Sequence, residues 1–268
     1  MREINWVIQN NLIKKETLEA LRKAFQENKL NFEEVFVIPF SQELPEIRHT
    51  AAFNIFYGST TLMLNAFDHP TYREGVFYNP KDFQMATYLS KWKEHLLNSD
   101  GLVTSFGNFI KSTHDQDSNW FIRPNADTKT FSGRVMSFSE IQAWGEQIAE
   151  NNDMELTLES LVFVSSPKKI DKEWRNFIVD GKVVSSSRYL IEGELNVSPN
   201  DIPSDMINFV HDRCQEFTPH QIFVMDVALF EKKYCILECN CFNGTGFYAN
   251  DIAKIIKAIS KAIEVKIR

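Results

Sequence analysis

Glycine is scarce in this chain, at 10 of 268 residues. Neither GxxxxGK[ST] nor GxGxxG occurs, which excludes both common glycine-lined phosphate cradles. There is no GxSxG elbow, and the six histidines (49, 69, 95, 114, 211 and 220) show no ligand spacing. No covalent nucleophile is in view. The four cysteines contain no CxxC pair. Cys235, Cys239 and Cys241 are separated by even-numbered spacings, so on one strand they share a face, while Cys214 is distant. They read as small buried apolar side chains in a reducing compartment rather than as zinc ligands. Positive charge is short as well: 29 Lys+Arg against 36 Asp+Glu give −7, the wrong sign for non-specific nucleic-acid binding. No apolar run is long enough to span a membrane, and "MREINWVIQNN" lacks the apolar core of a signal peptide. A cytoplasmic setting away from membranes is the expectation.

What remains is an ordinary globular composition, long enough for two small domains or one with lobes. Lys15 to Asn28 reads as an amphipathic helix with Leu18, Leu21 and Phe25 on one face. A strand is expected at Val35 to Pro39, an apolar stretch with a Gly-Ser turn at Phe53 to Thr61, and a helix at Lys81 to Asn98. From Leu102 the texture changes to short strands, "LVTSF", "NWFIRP" and "RVMSF". Ser139 with Gln142 reads as a capping box for a helix to about Glu150. "LVFVSSP" gives a strand ending at Pro167, and "EWRNFIVDGKVVSSSRYL" a hairpin about Asp180-Gly181. Helices are expected from Ser204 to about Phe217 and from Asn250 to Val265. The order is a small α/β layer followed by two antiparallel α+β lobes.

Chemistry gathers at four places. In "VMDVALFEKKYCILECNCFNGTGFY" two apolar runs flank Glu231-Lys232-Lys233, the pattern of a hairpin. A three-residue loop pairs Phe230 with Tyr234, which sets Asp226 opposite Glu238 and Val224 opposite Asn240. Two carboxylates so placed repel, and burial aggravates it, so a positive partner is expected between them. Magnesium, a hard cation that takes oxygen ligands, suits Asp226, Glu238 and Asn240; a solvated face of ordinary surface acids is the other reading. In "FIRPNADTKTFSGRV", Arg123 on a strand and Lys129 in a polar loop can hold phosphates, or can be a surface ion-pair member and a solvated loop residue. In the Asp-Gly hairpin, Glu173 is expected to face Arg188, with Arg175 on the same face. They form either a plain surface pair or a cation pair for a phosphate or carboxylate. The strand Leu161, Val162, Phe163, Val164, Ser165 is either a core strand or a hinge whose free backbone groups read an adenine edge.

Taken in order, these segments resemble the ATP-grasp fold, in which two α+β lobes hold ATP between them. "MDVA…LECNCFNGTGFY" resembles that family's strand acid and E-x-N metal motif. "FIRP…K.FSG" is similar to a clade of bacteria and phages that places arginine where most of the family has lysine. The resemblance implies an α+β architecture with an N-terminal α/β domain over residues 1–95, an ATP-grasp N-lobe over 96–164 and a C-lobe over 165–268. It implies ATP and Mg²⁺ as cofactors, with Arg123 and Lys129 on the phosphates and Leu161 to Ser165 against adenine. Glu173 would join the nucleotide site, Asp226, Glu238 and Asn240 would hold Mg²⁺, and Arg175 and Arg188 would face the γ-phosphate or acceptor. The implied chemistry is carboxylate–amine ligation through an acyl phosphate, with small-molecule or peptide carboxylate and amine substrates.

Rival readings stay open at this point. A metal-dependent nuclease would want a lysine where Asn240 stands. A nucleotidyl-transferring ligase would want KxDG, whereas Lys182 follows Asp180-Gly181, so that reading fails. An ATP-binding regulatory module that no longer ligates is the remaining alternative.

Overall fold

The computed structural model describes residues 3–39, 41–50, 52–127, 130–150 and 156–267. Its first sheet is parallel, with β1 (Ile4–Gln9) between β2 (Asn31–Val35) and β3 (Phe53–Tyr57). Every residue of β1 is buried, as a central parallel strand covered on both faces must be. Trp6 and Ile8 face α1 (Lys15–Glu27) and the closing helix α7 (Ile252–Lys266), while Val7 faces α2 (Thr60–Asp68). The expected face of α1 is buried at Leu18, Leu21 and Phe25, and Asp251 caps α7 by accepting from the Lys254 amide.

The strand expected at Val35 to Pro39 lies earlier, because β1 ends and leaves nothing to pair with. Asn10 N–H reaches the Val35 carbonyl, and the Asn11 carboxamide then bonds both backbone groups of Val37, closing the ladder with a side chain. The helix expected at Lys81 to Asn98 shortens to α3 (Met85–Trp92). A turn built on Asn79 delays its start, and Lys93, with φ of 47°, ends it.

The second sheet is antiparallel, in the order β4 (Leu102–Ser105), β7 (Leu161–Ser165), β5 (Asn119–Pro124), β6 (Arg134–Ser137). Helices α4 (Phe106–Ile110) and α5 (Phe138–Glu150) cover one face through Phe106, Phe138, Ile141, Val162 and Val164. The capping box of α5 falls two residues before the expected one. Ser137 and Glu140 exchange side-chain and backbone bonds there.

The third sheet is also antiparallel: β10 (Glu194–Ser198), β9 (Lys182–Ile191), β8 (Lys172–Val179), β11 (Ile222–Phe230) and β12 (Lys233–Asn240). Strand β10 was not expected; Glu192 and Gly193, both at positive φ, turn the chain back into it. Along β11, Phe223, Met225 and Val227 enter one core with α6 (Ser204–Glu216), α3 and α2. Ile222 and Val224 enter another with α7 and β1. Asp226 follows on that second face where packing gives way to a cleft. The acid is therefore buried by position in the strand, not by mistake of pattern.

One buried amide joins the N-terminal layer to this sheet. Asn243 donates to the Phe56 and Gly75 carbonyls and accepts from the Phe77 amide. Gly75 is required beside it, since an added Cβ would lie 1.7 Å from the Asn54 carbonyl oxygen. Asn243→Ala strands these backbone groups in the interior and should cost about 2–4 kcal/mol, read as a lower denaturant midpoint. An unchanged midpoint would mean that the amide ties nothing together.

Candidate active site

The cleft between the second and third sheets encloses about 450 Å³, within the usual range of a small-ligand site. Phe121 and Arg123 of β5 and the loop at Phe131 to Gly133 form one wall. Glu173, Arg175, Tyr189, Leu190, Asp226, Leu237, Glu238 and Tyr248 form the other, with Ile170 of the connecting segment at the edge.

The acids meet as expected, by a different route. Glu231 and Lys232 make a two-residue turn, both at positive φ (48° and 64°), and Phe230 pairs with Lys233. A turn one residue tighter would set Asp226 against Leu237 and throw Glu238 to the other face. A bulge at Leu237 restores the register, leaving Asp226 opposite Glu238 and Val224 opposite Asn240. The same bulge separates Cys235 from the face of Cys239 and Cys241, so the expectation of one shared face fails. The four cysteines are free thiols.

In the second hairpin the turn is correctly placed, with Asp180 and Gly181 at φ of 51° and 70°. Bulges again shift the register. Arg188 pairs with Trp174 rather than Glu173, and its guanidinium binds Asp201 (2.8 Å) and Asn196 away from the cleft. The expectation that Arg188 faces Glu173 is therefore corrected, and Arg188 does not line the cleft. Tyr189, the bulged residue, enters the cleft instead; its hydroxyl donates to Glu173, and its ring stacks on Tyr248 at 4.7 Å.

Each acid has a guanidinium. Asp226, wholly buried, receives a fork from Arg175, Nε to Oδ1 at 2.9 Å and Nη2 to Oδ2 at 2.6 Å. Arg175 also donates to the Gly246 carbonyl and lies 4.8 Å from the Tyr248 ring centre. Glu238 pairs with Arg123 at 2.6 Å, a contact from one sheet to the other. Asn240 Nδ2 lies 3.3 Å from Asp226 and 3.2 Å from Glu238. Repulsion between the acids is thus answered by two arginines, where the sequence alone pointed to a metal. Burial disfavours the charge on Arg175, yet the Asp226 carboxylate outweighs it and holds that pKa above the ordinary value. For Arg123 burial is likewise outweighed by Glu238 and Asp127.

Magnesium fits this donor set. Two carboxylates and one carboxamide converge, and a half-turn of the Asn240 amide presents its oxygen. Among the described residues no three His, Cys, Asp or Glu side chains could hold a metal, so the amide is needed as the third ligand.

The remaining expected residues divide. Glu173 lines the cleft, whereas Leu161 to Ser165 do not. Strand β7 is bonded to β4 on one side and β5 on the other, so it lies inside its sheet rather than along the cleft wall. Lys129 lies outside the described residues. Sequence reasoning missed Tyr189, Tyr248 and Phe121; bulges and a left-handed tyrosine leave no pattern that spacing detects.

Two antiparallel α+β lobes closing on a pair of acids and arginines define an ATP-grasp protein. Residues 103–258, more than half of the chain, match the model of the ATP-grasp domain, R2K clade family 2, and the chain belongs to that family. Solved structures agree in fold. The ATP-grasp ligase PsnB, complexed with a phosphomimetic variant of its minimal precursor, Mg and ADP, is 10% identical. It aligns over 100% of this chain and 99% of its own at a TM-score of 0.56. D-alanine–D-alanine ligase from Bacillus anthracis, complexed with ATP, gives 0.56 at 10% identity over 99% of both chains. A RimK domain ATP-grasp protein from Sphaerobacter thermophilus gives 0.58 at 12% identity over 94% and 97%. No curated protein matches the sequence.

Burial raises the pKa of Glu173, and the negative charges of Asp226 and Glu238 add to it against the Tyr189 hydrogen bond. A raised folded-state pKa means that ionised Glu173 weakens the fold, a penalty that disappears on acidification. Glu173→Gln, which keeps an acceptor for Tyr189, should raise the denaturant midpoint near pH 7 and leave it unchanged near about pH 4. A larger gain at the acidic pH would contradict this.

Proposed function

We propose that this protein is an ATP- and Mg²⁺-dependent carboxylate–amine ligase that works through an acyl phosphate. The observation that carries the reading is the pair of arginine–carboxylate contacts, Arg123 with Glu238 and Arg175 with Asp226, at the junction of the two lobes. Each contact joins a group that prefers phosphate to one that prefers a metal. All four would be satisfied by Mg²⁺·ATP, with Arg123 and Arg175 holding phosphate oxygens and Asp226 and Glu238 holding the ion.

Asp226, Glu238 and Asn240 would hold the ion, which when bound neutralises charge on the phosphates. Arg123, with Lys129 from the loop, would bind the phosphates. Arg175, fixed by Tyr248 and the Gly246 carbonyl, would meet the γ-phosphate. Glu173, an acceptor on the cleft wall, would meet nucleotide hydroxyls. Adenine would rest on the apolar wall of Phe121, Ile170, Leu190 and Leu237.

A substrate carboxylate oxygen attacks the γ-phosphorus, the bond to the β,γ-bridging oxygen breaks, and ADP leaves. An amine nitrogen then attacks the acyl carbon, the bond to phosphate breaks, and the amine proton passes to solvent. Such transfer asks for positioning and charge neutralisation rather than a protein nucleophile. The substrates fall in the class of small-molecule or peptide carboxylates and amines. A cytoplasmic setting goes with ATP use, and among the described residues no helix is long and apolar enough to cross a membrane.

Calorimetry with ATP, with and without Mg²⁺, tests the site. The parent protein should bind ATP with a strong dependence on Mg²⁺, and Glu238→Gln should weaken it by about tenfold or more. Equal affinity with and without the ion, or an unaffected variant, would remove the basis for the ligand assignment.

A further inference from the structure

A second cavity of about 400 Å³ adjoins the first. Arg175 and Tyr248 line both, so the two meet at the guanidinium proposed for the γ-phosphate. Its far wall comes from the N-terminal layer, at Leu12, Lys14 and Tyr57, and Phe247 closes the side. Among the described residues no acidic side chain lines it, while Lys14 and Arg175 do. Lys14 is exposed and has no ion-pair partner among the described residues.

Two of its lining residues are held in unusual backbone. Eight described non-glycine residues have positive φ, and six of them are charged residues: Lys29, Lys93, Asp180, Glu192, Glu231 and Lys232. The other two are Leu12, with φ of 66°, and Tyr248, with φ of 50°. Glycine or asparagine would adopt that conformation with less strain, so a large apolar side chain there is costly. Leu12 is also 70% exposed, so packing within the fold does not repay the strain. Both side chains border the same cavity, one at its mouth and one at its junction with the cleft. An apolar ligand surface would cover them.

We propose that this cavity receives the carboxylate substrate, and that the substrate is a monocarboxylate whose apolar body is about one or two amino-acid residues in size. The carboxylate lies toward Arg175, in line with the nucleotide cleft, and the apolar body rests on Leu12, Tyr57 and Phe247. Lys14 favours an anion over a cation at the mouth. The reaction rests on the ligase reading above; the binding preference stands on the cavity alone.

The test uses calorimetry on the full chain with N-acetyl-L-leucine, N-acetylglycine and N-acetyl-L-leucinamide, without nucleotide. N-acetyl-L-leucine should bind at least about tenfold more tightly than either of the others, since one lacks the apolar body and the other the charge. Lys14→Glu and Leu12→Asp should each weaken it by about tenfold. Aspartate accepts the left-handed backbone better than leucine, and neither residue lines the nucleotide cleft, so both variants should still bind Mg²⁺·ATP. Equal binding of the three probes, no binding of the leucine derivative, or indifference to both substitutions overturns the proposal. Mg²⁺·ATP titrated into the same protein separates the two readings. Nucleotide bound without the leucine derivative sinks this inference alone, whereas the leucine derivative bound without nucleotide supports it and sinks the ligase.

Discussion

Arg123 reaches from the four-stranded sheet to Glu238 on the five-stranded sheet, and that contact spans the cleft between them. Both side chains are mostly withdrawn from water, at 14% and 24% exposure. Removing one would leave the other charged and unpartnered, a loss of up to about 3–5 kcal/mol. Behind it, Arg175 performs the same service for Asp226. The site thus holds two positive and two negative groups in mutual compensation. Such an arrangement gains little stability over an apolar filling of equal shape. Under the proposed function its value lies in exchange, because each member would have a better partner in a metal-bound triphosphate.

The rest of the fold keeps these four groups in register. Bulges at Leu237 and Tyr189 decide which side chains face the cleft, and each corrects a hairpin whose turn alone would misplace them. Asn240 bridges the two acids, and Cys241 next to it donates its amide to Asp127. Two residues further, Asn243 binds the N-terminal layer. The segment from Glu238 to Tyr248 therefore joins two residues of the acid cluster, the anchor of the first sheet and the junction of the two cavities.

Much of this was legible because it follows from alternation and turn chemistry. The Asp-Gly turn, the inward faces of α1 and α7 and the two antiparallel lobes are consequences of such local rules. The opposition of Asp226 to Glu238, in contrast, was expected from a three-residue loop and is produced by a two-residue turn and a bulge. What escaped depends on register. Arg188 was misplaced because a bulge changes the face of every residue beyond it, and no residue type announces a bulge. At Leu161 to Ser165 the limit is different: sequence identifies an apolar strand but not how many neighbours it has, and β7 has two. The arginine partners of the acids were hidden too, since Arg123 lies 115 residues before Glu238 and only the closed fold brings them together.

The exchange of partners can be seen directly in a crystal structure with Mg²⁺ and a non-hydrolysable ATP analogue. Asp226, Glu238 and the Asn240 amide oxygen should then lie about 2.1 Å from the ion, directly or with one replaced by water, and Arg123 and Arg175 should contact phosphate oxygens. If the nucleotide binds elsewhere while both guanidiniums stay on their carboxylates, the pairs are structural and the account of the site is wrong.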